Sequence, residues 1–386
     1  MAAAMISVVQ RNTELTLTEK LGQLSWTLVL LVAVIASIGF VMLYSAAGGS
    51  LEPWAERQMV RFAFGAVVMM AIALVDVRFW LRWAYAIYAG AFALLAAVEI
   101  AGQIGMGAQR WIDLGPFQLQ PSEVMKIAVV LALARYFHGC TLEAVGNPLK
   151  LILPAAMVCL PVALVMRQPD LGTAVMLLVG GAIIFFLAGV RWWKFVLVGV
   201  GALGAVPVAW QFLHDYQQRR ILTFFNPEND PLGAGYHITQ SKIALGSGGI
   251  FGKGFLQGTQ GHLSFVPERQ TDFIFTMLAE EFGLVGGVGL LGLYALVIGY
   301  GIAIGMRARN QFGRLLALGL TTTFFLYVFI NIAMVMGLVP VVGVPLALIS
   351  YGGTAMLTIL IALGLVMGVF VHRDIVVGRH AQEGEI

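Results

Sequence analysis

The sequence predicts an all-α integral membrane protein with about ten transmembrane helices and one long extramembrane loop. Hydrophobic residues make up 59% of the 386 residues and charged residues only 11%, whereas a soluble domain carries about 25% charged residues. Apolar runs of about 18 or more residues recur along the chain, and such runs are typical of spanning helices. A single polytopic membrane domain, residues 1–386, accounts for this pattern.

Ten apolar segments are long enough to cross a bilayer. The eighth is longer than the hydrocarbon requires, so we expect it to begin outside the membrane. The predicted spans cover approximately residues 23–45, 58–75, 83–101, 122–138, 148–166, 171–189, 193–213, 272–304, 313–337 and 346–371.

The distribution of Lys and Arg predicts the orientation. An even number of spans places both termini on one side. If that side is cytoplasmic, most basic residues lie in inner segments, and the short outer loops carry only Arg57, Arg61, Arg110 and Arg167. This bias predicts cytoplasmic termini. No basic tract is typical of a nucleic-acid footprint, so we expect no nucleic-acid partner.

The loop of residues 214–271 is therefore predicted to face the periplasm. Residues 236–245 are predicted to form a short amphipathic helix at the membrane interface. The run GSGGIFGKG at 246–254 contains Lys253. It is not a phosphate-binding loop, because Gly254 stands where that motif needs Ser or Thr. We interpret the run as a flexible turn beside the membrane.

The polar stretch 261–283 lies between two very apolar regions and contains Asp272. Residues 267–270 are predicted to form a loop, after which Asp272 opens a helix. One interpretation makes Asp272 an N-cap, because acids at a helix start are favoured. The other makes it a carboxylate held where membrane meets water, positioned to accept a proton.

Glu123 and Lys126 are three residues apart in the fourth span, so both lie on one helical face and can pair. The helix is predicted to start at Pro121, and its N-terminus favours the charge of Glu123. Charge inside hydrocarbon costs several kcal/mol and needs a partner or a purpose. The two interpretations, a structural ion pair and a polarised site facing an internal cavity, do not exclude each other.

Other polar residues are predicted on the outer side. Arg110 could contact a lipid or substrate phosphate, and Asp170 is by default the N-cap of the sixth span. The six histidines are scattered without the spacing of a zinc site. The candidate cavity or substrate-binding residues are Glu123, Lys126, Arg110, Arg220, Arg269, Asp170, Gln240 and Ser350.

The last outer connection, residues 336–357, has no charge but contains Pro340, Pro345 and the pair Gly352 and Gly353. Non-helical backbone at membrane depth is tolerated only where protein or a water-filled cavity covers it. We therefore expect this segment to dip back toward a cavity, with Ser350 among its lining groups.

Five stretches together resemble the SEDS (shape, elongation, division and sporulation) family, most closely its RodA-type members. They follow one another in order over most of the chain. Only Ala347 and Leu348 depart from the usual pattern. The matching stretches are RWIDLGPFQLQPSEVMK (110–126), QPDLGTA (168–174), FNPENDPLGAGYHITQSKIALGSGGIFGKG (225–254), LSFVPERQTDFIFTMLAEEFG (263–283) and NIAMVMGLVPVVGVPLALISYGGTA (331–355).

The resemblance implies a peptidoglycan glycosyltransferase of the bacterial inner membrane. Such enzymes polymerise lipid II, a disaccharide-pentapeptide on undecaprenyl pyrophosphate, during elongation and rod-shape maintenance. By position, Asp272 matches the family's essential acid, and Glu123 with Lys126 its paired residues. The implied partners are a class B penicillin-binding protein, which is a transpeptidase, and other elongation-complex proteins.

The chemistry agrees with the residues. A sugar hydroxyl must attack an anomeric carbon while pyrophosphate leaves, and an α donor giving a β product implies inversion. One carboxylate base suffices, and we assign that role to Asp272. Lys126, Arg110 or Arg220 would meet the diphosphate charge. The sequence leaves open whether a divalent cation shares this task.

Two other function classes remain open at this stage. Intramembrane charge and broken segments also suit a lipid II flippase, which needs access from both faces, whereas the polar residues here lie mainly on the outer side. A scaffold that only recruits the transpeptidase would not need Asp272.

Overall fold

The computed structural model describes residues 16–101, 103–105, 108–113, 118–212, 215–226, 234–259, 268–375 and 378. Helices dominate this part of the chain. The helices are α1 (Leu17–Gly22), α2 (Trp26–Ala46), α3 (Ala55–Leu74), α4 (Val77–Ala101), α5 (Pro121–His138), α6 (Leu142–Gly146), α7 (Pro148–Arg167), α8 (Leu171–Leu187), α9 (Trp192–Phe212), α10 (Asp215–Phe225), α11 (Ala234–Ser247), α12 (Ile274–Arg307), α13 (Gln311–Val335) and α14 (Gly353–Val371). The strands are β1 (Gln103–Gly105), β2 (Ala108–Asp113) and β3 (Gln118–Leu119).

Each of the ten predicted spans coincides with a helix of 17 to 34 residues. Within the described ranges, seven of these helices are long and apolar enough to cross a membrane, and α8 and α9 contain shorter apolar stretches. The remaining one, α5, carries Glu123, Lys126 and Arg135 among its 18 residues. The predicted all-α membrane fold is confirmed, and the chain is a multi-pass membrane protein.

The core of the bundle is formed by α5, α13 and α14, which are buried along most of their length. Helix α3 packs on α14, α4 packs on α5, and α12 packs on α13 and α2. The outer helices leave large apolar side chains exposed, and α9 is exposed along most of its length. Such a surface suits a lipid environment, in which apolar side chains need no burial.

A small antiparallel sheet lies between α4 and α5. Its strand order is β1-β2-β3, with Gln103 opposite Trp111 and Ile112 opposite Leu119. These strands are not predictable from the sequence, because strands of two to six residues are too short to show a periodicity.

Two departures from regular helix lie near the start of α14 and within α12. Helix α12 is broken at Gly283, whose φ and ψ are 66° and −160°. Helix α14 begins at Gly353, so the predicted start of the tenth span at residue 346 is wrong. Residues 346–350 form a buried turn instead, in which the Leu346 N–H donates to Ser350 Oγ over 2.8 Å.

The segment between α13 and α14, residues 336–352, is the re-entrant segment predicted from its prolines and glycines. Its buried backbone groups find partners in neighbouring helices. The Tyr294 hydroxyl donates to the Ala347 carbonyl over 2.6 Å, and Gly39 of α2 packs directly on the backbone of Ile349. Protein therefore covers this non-helical backbone, and the predicted cavity with Ser350 in its lining stays a prediction.

Candidate active site

Asp272 lies in consecutive turns, residues 268–273, immediately before α12. The Thr271 and Phe273 N–H groups donate to the Glu268 carbonyl over 3.0 and 3.3 Å, and these bonds delay the helix until Ile274. The N-cap is Phe273, with no side-chain capping bond. Asp272 stands one residue before the N-cap position, so the prediction that it is the N-cap of α12 is wrong. Its side chain is half-buried.

Helix α13 and the re-entrant segment fix these turns through three hydrogen bonds. Asn331 Nδ2 donates to the Asp272 carbonyl over 2.8 Å. Ser350 Oγ donates to the Thr271 carbonyl over 2.5 Å, and the Tyr351 N–H donates to the Gln270 carbonyl over 2.8 Å. The backbone on both sides of the candidate base is thus bonded to buried parts of the bundle.

The Asp272 carboxylate lies beside Gly343 of the re-entrant segment. A Cβ built on Gly343 would be 3.5 Å from Asp272 Oδ2, and the φ of Gly343 is +71°. A side chain at this position would be strained by the positive φ, while its Cβ would make an ordinary van der Waals contact with the carboxylate. Glycine is therefore required here by the backbone conformation.

Helix α3 contacts the re-entrant segment beside the site. Gln58 is fully buried, and its Nε2 donates to the Ser350 carbonyl over 2.9 Å. The Arg61 guanidinium lies 4.8 Å from the ring centroid of Tyr351. Sequence reasoning missed Gln58 and Asn331. Their signal was available, since amide side chains inside apolar spans need a buried partner.

Glu123 and Lys126 form the predicted ion pair. Lys126 Nζ is 2.6 Å from Glu123 Oε1, and both side chains are only 4% exposed. Glu123 also accepts hydrogen bonds from the hydroxyls of Tyr327 and Thr358, and Lys126 lies 4.2 Å from the ring centroid of Tyr327. The pair therefore joins α5 to α13 and α14.

The cavity beside this pair is too small for a sugar. Its volume is about 10 Å³, and Glu123, Lys126 and Tyr327 are among its lining residues. That volume holds roughly one water molecule. In this conformation the geometry supports a structural ion pair, and a substrate-binding role for the two residues stays a prediction.

Asp170 is the N-cap of α8, as predicted. It is buried, its Oδ1 accepts from the Thr173 N–H over 3.1 Å, and its Oδ2 accepts from Thr173 Oγ1 over 3.0 Å. The neighbouring Gly172 packs closely against the Val342 carbonyl. Asp170 therefore fixes the start of α8 against the re-entrant segment.

Arg110 connects the small sheet to the turn before α8. Its Nε donates to the Gln168 carbonyl over 2.8 Å, and a terminal nitrogen donates to the Pro169 carbonyl. Gln168 is itself buried and donates to the Leu95 carbonyl over 2.9 Å. These bonds give Arg110 a structural role, which is to hold the turn before α8 against the small sheet. The predicted phosphate contact of Arg110 stays a prediction.

The remaining predicted residues lie on three elements. Arg269 is half-buried in the turns that contain Asp272, and Gln240 is half-buried on α11. Arg220 belongs to α10, and its side chain lies outside the described residues. The structure thus groups Arg269 and Ser350 near Asp272 and places the Glu123–Lys126 pair in the bundle interior.

Within the described ranges, no group of three or more His, Cys, Asp and Glu side chains could hold a metal ion. A divalent cation brought by the substrate therefore stays an open prediction.

With this geometry in place, comparison with known proteins decides the family. The FtsW/RodA/SpoVE model, described as a cell cycle protein, matches residues 25–375. The chain belongs to the FtsW/RodA/SpoVE family. This is the SEDS family that the five stretches of sequence resemble, so that prediction is confirmed.

Curated relatives within the FtsW/RodA/SpoVE family agree. The chain is 45% identical to the peptidoglycan glycosyltransferase MrdB of Escherichia coli over 351 residues, covering 90% of this chain and 93% of the relative. It is 32% identical to the peptidoglycan glycosyltransferase RodA of Treponema pallidum, covering 89% and 96%. These names confirm the predicted glycosyltransferase class.

Solved structures show the same fold. A chain from a peptidoglycan synthase complex, described as coordinating polymerization and crosslinking, is 35% identical with a TM-score of 0.79. The rod shape determining protein RodA of Thermus thermophilus is 32% identical with a TM-score of 0.69. Each comparison covers 91% of this chain and 98% of the other.

Proposed function

We propose that this peptidoglycan glycosyltransferase polymerises lipid II, with Asp272 as the general base. The observation that carries the proposal is the placement of Asp272. Asp272 is half-buried beside Gly343, and the backbone around it is bonded to Asn331 and Ser350. A general base needs this combination of a fixed position and access for the hydroxyl that it deprotonates.

The proposed step is an inverting displacement. The 4-hydroxyl oxygen of the acceptor GlcNAc forms a bond to the donor anomeric carbon, and its proton passes to Asp272. The bond from that carbon to the phosphate oxygen breaks, and undecaprenyl pyrophosphate leaves with the electron pair. Because the α linkage of the donor becomes a β linkage, one base is sufficient. Asp272 then returns the proton to water.

The leaving diphosphate needs positive charge. Lys126 is engaged by Glu123, and Arg110 by two carbonyls. Arg269 lies three residues before Asp272, and this proximity makes it the favoured partner of the diphosphate, with Arg220 of α10 as the second candidate. An arginine can bind phosphate oxygens with two parallel hydrogen bonds. A divalent cation bound with the diphosphate would serve the same purpose.

We further propose the bacterial inner membrane as the location, with cytoplasmic termini and Asp272 on the periplasmic side. The distribution of Lys and Arg supports this orientation. A class B penicillin-binding protein is the proposed partner, together with other elongation-complex proteins. Similarity to a chain from a peptidoglycan synthase complex supports the transpeptidase partner.

The test is polymerisation of lipid II by the purified full-length chain with its transpeptidase partner in detergent. We expect Asp272→Asn to lower the rate by about 10²- to 10⁴-fold and to leave lipid II binding intact. Asp374→Asn is the matched control, because Asp374 is 69% exposed at the opposite end of the bundle. Near wild-type polymerisation by Asp272→Asn would remove Asp272 from the base role.

The same assay separates the enzyme from a flippase. Detergent has no two sides, so a transporter would leave lipid II unchanged, whereas an enzyme forms glycan.

A further inference from the structure

We propose that Lys253 and Glu280 are positioning residues that orient the first part of α12 and thereby set the location of Asp272. This inference rests on the proposed function of Asp272. We call residues 274–282, between Asp272 and the break at Gly283, the half-helix. The remainder of α12, residues 284–307, forms the long apolar part of the span.

The break at Gly283 interrupts the helical hydrogen bonds of α12, and residues 249–254 replace them. Backbone polar groups at membrane depth need such partners. The four replacement bonds run from Lys253 N to the Glu280 carbonyl (3.0 Å), Gly254 N to the Glu281 carbonyl (3.0 Å), Leu284 N to the Gly249 carbonyl (3.0 Å), and Val285 N to the Ile250 carbonyl (3.1 Å).

The glycines of this run allow the two backbones to approach closely. A Cβ on Gly248 would clash with the Ala279 carbonyl, and a Cβ on Gly252 would clash with the Glu281 carbonyl. Gly252 also has a φ of +80°, which L side chains rarely adopt. The predicted turn is present at residues 248–251, whereas the close contacts of Gly248 and Gly252 with α12 contradict its predicted flexibility.

Side chains reinforce this contact. Lys253 Nζ is 2.6 Å from Glu280 Oε1 and donates to Thr259 Oγ1 over 2.8 Å. Glu280 is 1% exposed, whereas Lys253 is 27% exposed. A buried carboxylate requires neutralisation, and Lys253 supplies it from outside the helix. On the neighbouring side, Ser45 of α2 donates to the Glu281 carboxylate.

The half-helix therefore has supports at both ends. Its N-terminal side is held by Asn331 and Ser350, and its C-terminal side by residues 249–254 and the Lys253–Glu280 pair. In between, the Ser241 and Thr276 hydroxyls of α11 and α12 lie 2.9 Å apart. The half-helix is attached to neighbouring elements along its whole length.

The Lys253–Glu280 pair can affect catalysis from a distance, because the orientation of the half-helix sets the position of Asp272. The first residue of the half-helix, Ile274, and the break at Gly283 are separated by about 14 Å along the helix axis at about 1.5 Å per residue. A tilt of roughly 10° about the break would move the first turn by about 2 Å. A misplacement of about 1 Å can cost about 10²-fold in rate. Loss of the Lys253 charge should therefore reduce turnover more than substrate binding.

The experiment compares lipid II polymerisation by purified full-length variants with the transpeptidase partner. We expect Lys253→Met to lower kcat by about 10- to 100-fold while KM for lipid II stays within about twofold. Lys253→Arg keeps the charge and should retain activity to within about threefold. Lys194→Met is the matched control, because Lys194 Nζ donates to the Gly146 carbonyl far from this site, and its kcat should equal that of wild type.

A double variant keeps the test decisive if Lys253→Met does not fold. Lys253→Met with Glu280→Gln leaves no uncompensated buried carboxylate, so it should fold and still show the lowered kcat with unchanged KM. Wild-type kcat in this double variant would overturn the proposal. An increased KM with unchanged kcat would also overturn it, because Lys253 would then bind substrate.

The Asp272→Asn variant separates this proposal from the proposed function. If Asp272→Asn is inactive while the Lys253 and Glu280 variants are normal, only the positioning role fails. If Asp272→Asn is active, the base assignment fails, whatever the Lys253 variants show.

Discussion

The side-chain amide of Asn331 donates one hydrogen bond to the Asp272 carbonyl over 2.8 Å and another to the Val344 carbonyl over 2.7 Å. Asn331 is fully buried in α13. One core side chain therefore connects the turns before α12 to the re-entrant segment. The position of the candidate base is therefore set through its backbone.

The first prediction concerns this amide. Asn331→Leu leaves two buried carbonyls without their donor, and each such loss costs about 1–3 kcal/mol. We expect a lower unfolding midpoint and a kcat for polymerisation reduced by about tenfold or more. Thermal unfolding and lipid II turnover are the two measurements.

A matched asparagine separates stability from positioning. Asn310 is the N-cap of the same helix, and its Oδ1 accepts from the Gly313 N–H over 2.6 Å. Asn310→Ala should cost about 1 kcal/mol and leave kcat unchanged. Equal kcat losses in the two variants would show that general destabilisation of α13 explains the effect.

The second prediction concerns the Glu123–Lys126 pair. Lys126→Met leaves the Glu123 carboxylate buried without its cation, which should destabilise the fold by about 3–5 kcal/mol. The double variant Glu123→Gln with Lys126→Met removes both charges and should recover most of that loss. The stabilities of the single and double variants are measured by unfolding in detergent, with the helical circular dichroism signal as the readout. A Lys126→Met protein as stable as wild type would contradict the structural importance of the pair.

The third prediction concerns the close approach of two backbones at the break in α12. Gly252→Ala would place a methyl group against the Glu281 carbonyl and strain a φ of +80°, so we expect a loss of about 1–3 kcal/mol. Gly246→Ala is the control, because nothing lies within 4 Å of a Cβ there. Within helix α11 this change should stabilise by about 0.5–1 kcal/mol. Similar unfolding midpoints for the two variants would refute the close packing.

The fourth prediction concerns pH and His372, the residue after the last span. Its Nδ1 donates to the Gly368 carbonyl over 2.8 Å, so the proton of the neutral ring is on Nδ1. In the described part of the chain, no hydrogen-bond partner faces its buried Nε2. Burial lowers the pKa of His372 below its ordinary value of 6.5, against the opposite effect of the Gly368 bond.

The sign of the pH dependence follows from this pKa. Between the lowered folded pKa and 6.5, the unfolded chain binds more protons than the folded chain, so stability rises with pH. The contribution of neutral, buried His372 to the free energy of unfolding is fully present above pH 6.5. It is lost as the pH falls toward the pKa of His372 in the folded chain. We expect the thermal unfolding midpoint to decrease as the pH is lowered from about 7.5 to about 5.5. The decrease should be smaller in His372→Asn. An equal fall in both proteins would exclude His372 as the cause.

The fold was predictable from the sequence because each spanning helix corresponds to one continuous apolar run along the chain. Ten apolar runs gave ten helices with small boundary errors, and the turn chemistry of residues 336–352 indicated buried non-helical backbone. The strands between residues 103 and 119 and the start of α14 at Gly353 escaped prediction. Both depend on pairing with distant parts of the chain, which local periodicity does not register.

The site was predictable in its residue types and less so in its contacts. The i, i+3 spacing of Glu123 and Lys126 predicts their pairing, and Asp170 before an apolar run predicts a cap. The capping role of Asp272 was wrong, because hydrogen bonds to Glu268 delay α12 until Ile274. No spacing along the chain could show that Asn331, 59 positions away, would bind the Asp272 carbonyl.

By itself the sequence determined that the chain is a membrane-spanning helical bundle, that it resembles the SEDS family, and that Asp272 is its candidate acid. These conclusions depend on composition and local motifs, which need no knowledge of the folded structure. The tertiary structure alone decided which groups hold that acid in place. Those groups come from α3, α13, the re-entrant segment and residues 249–254, and only packing of the folded bundle brings elements so far apart in sequence within hydrogen-bond distance.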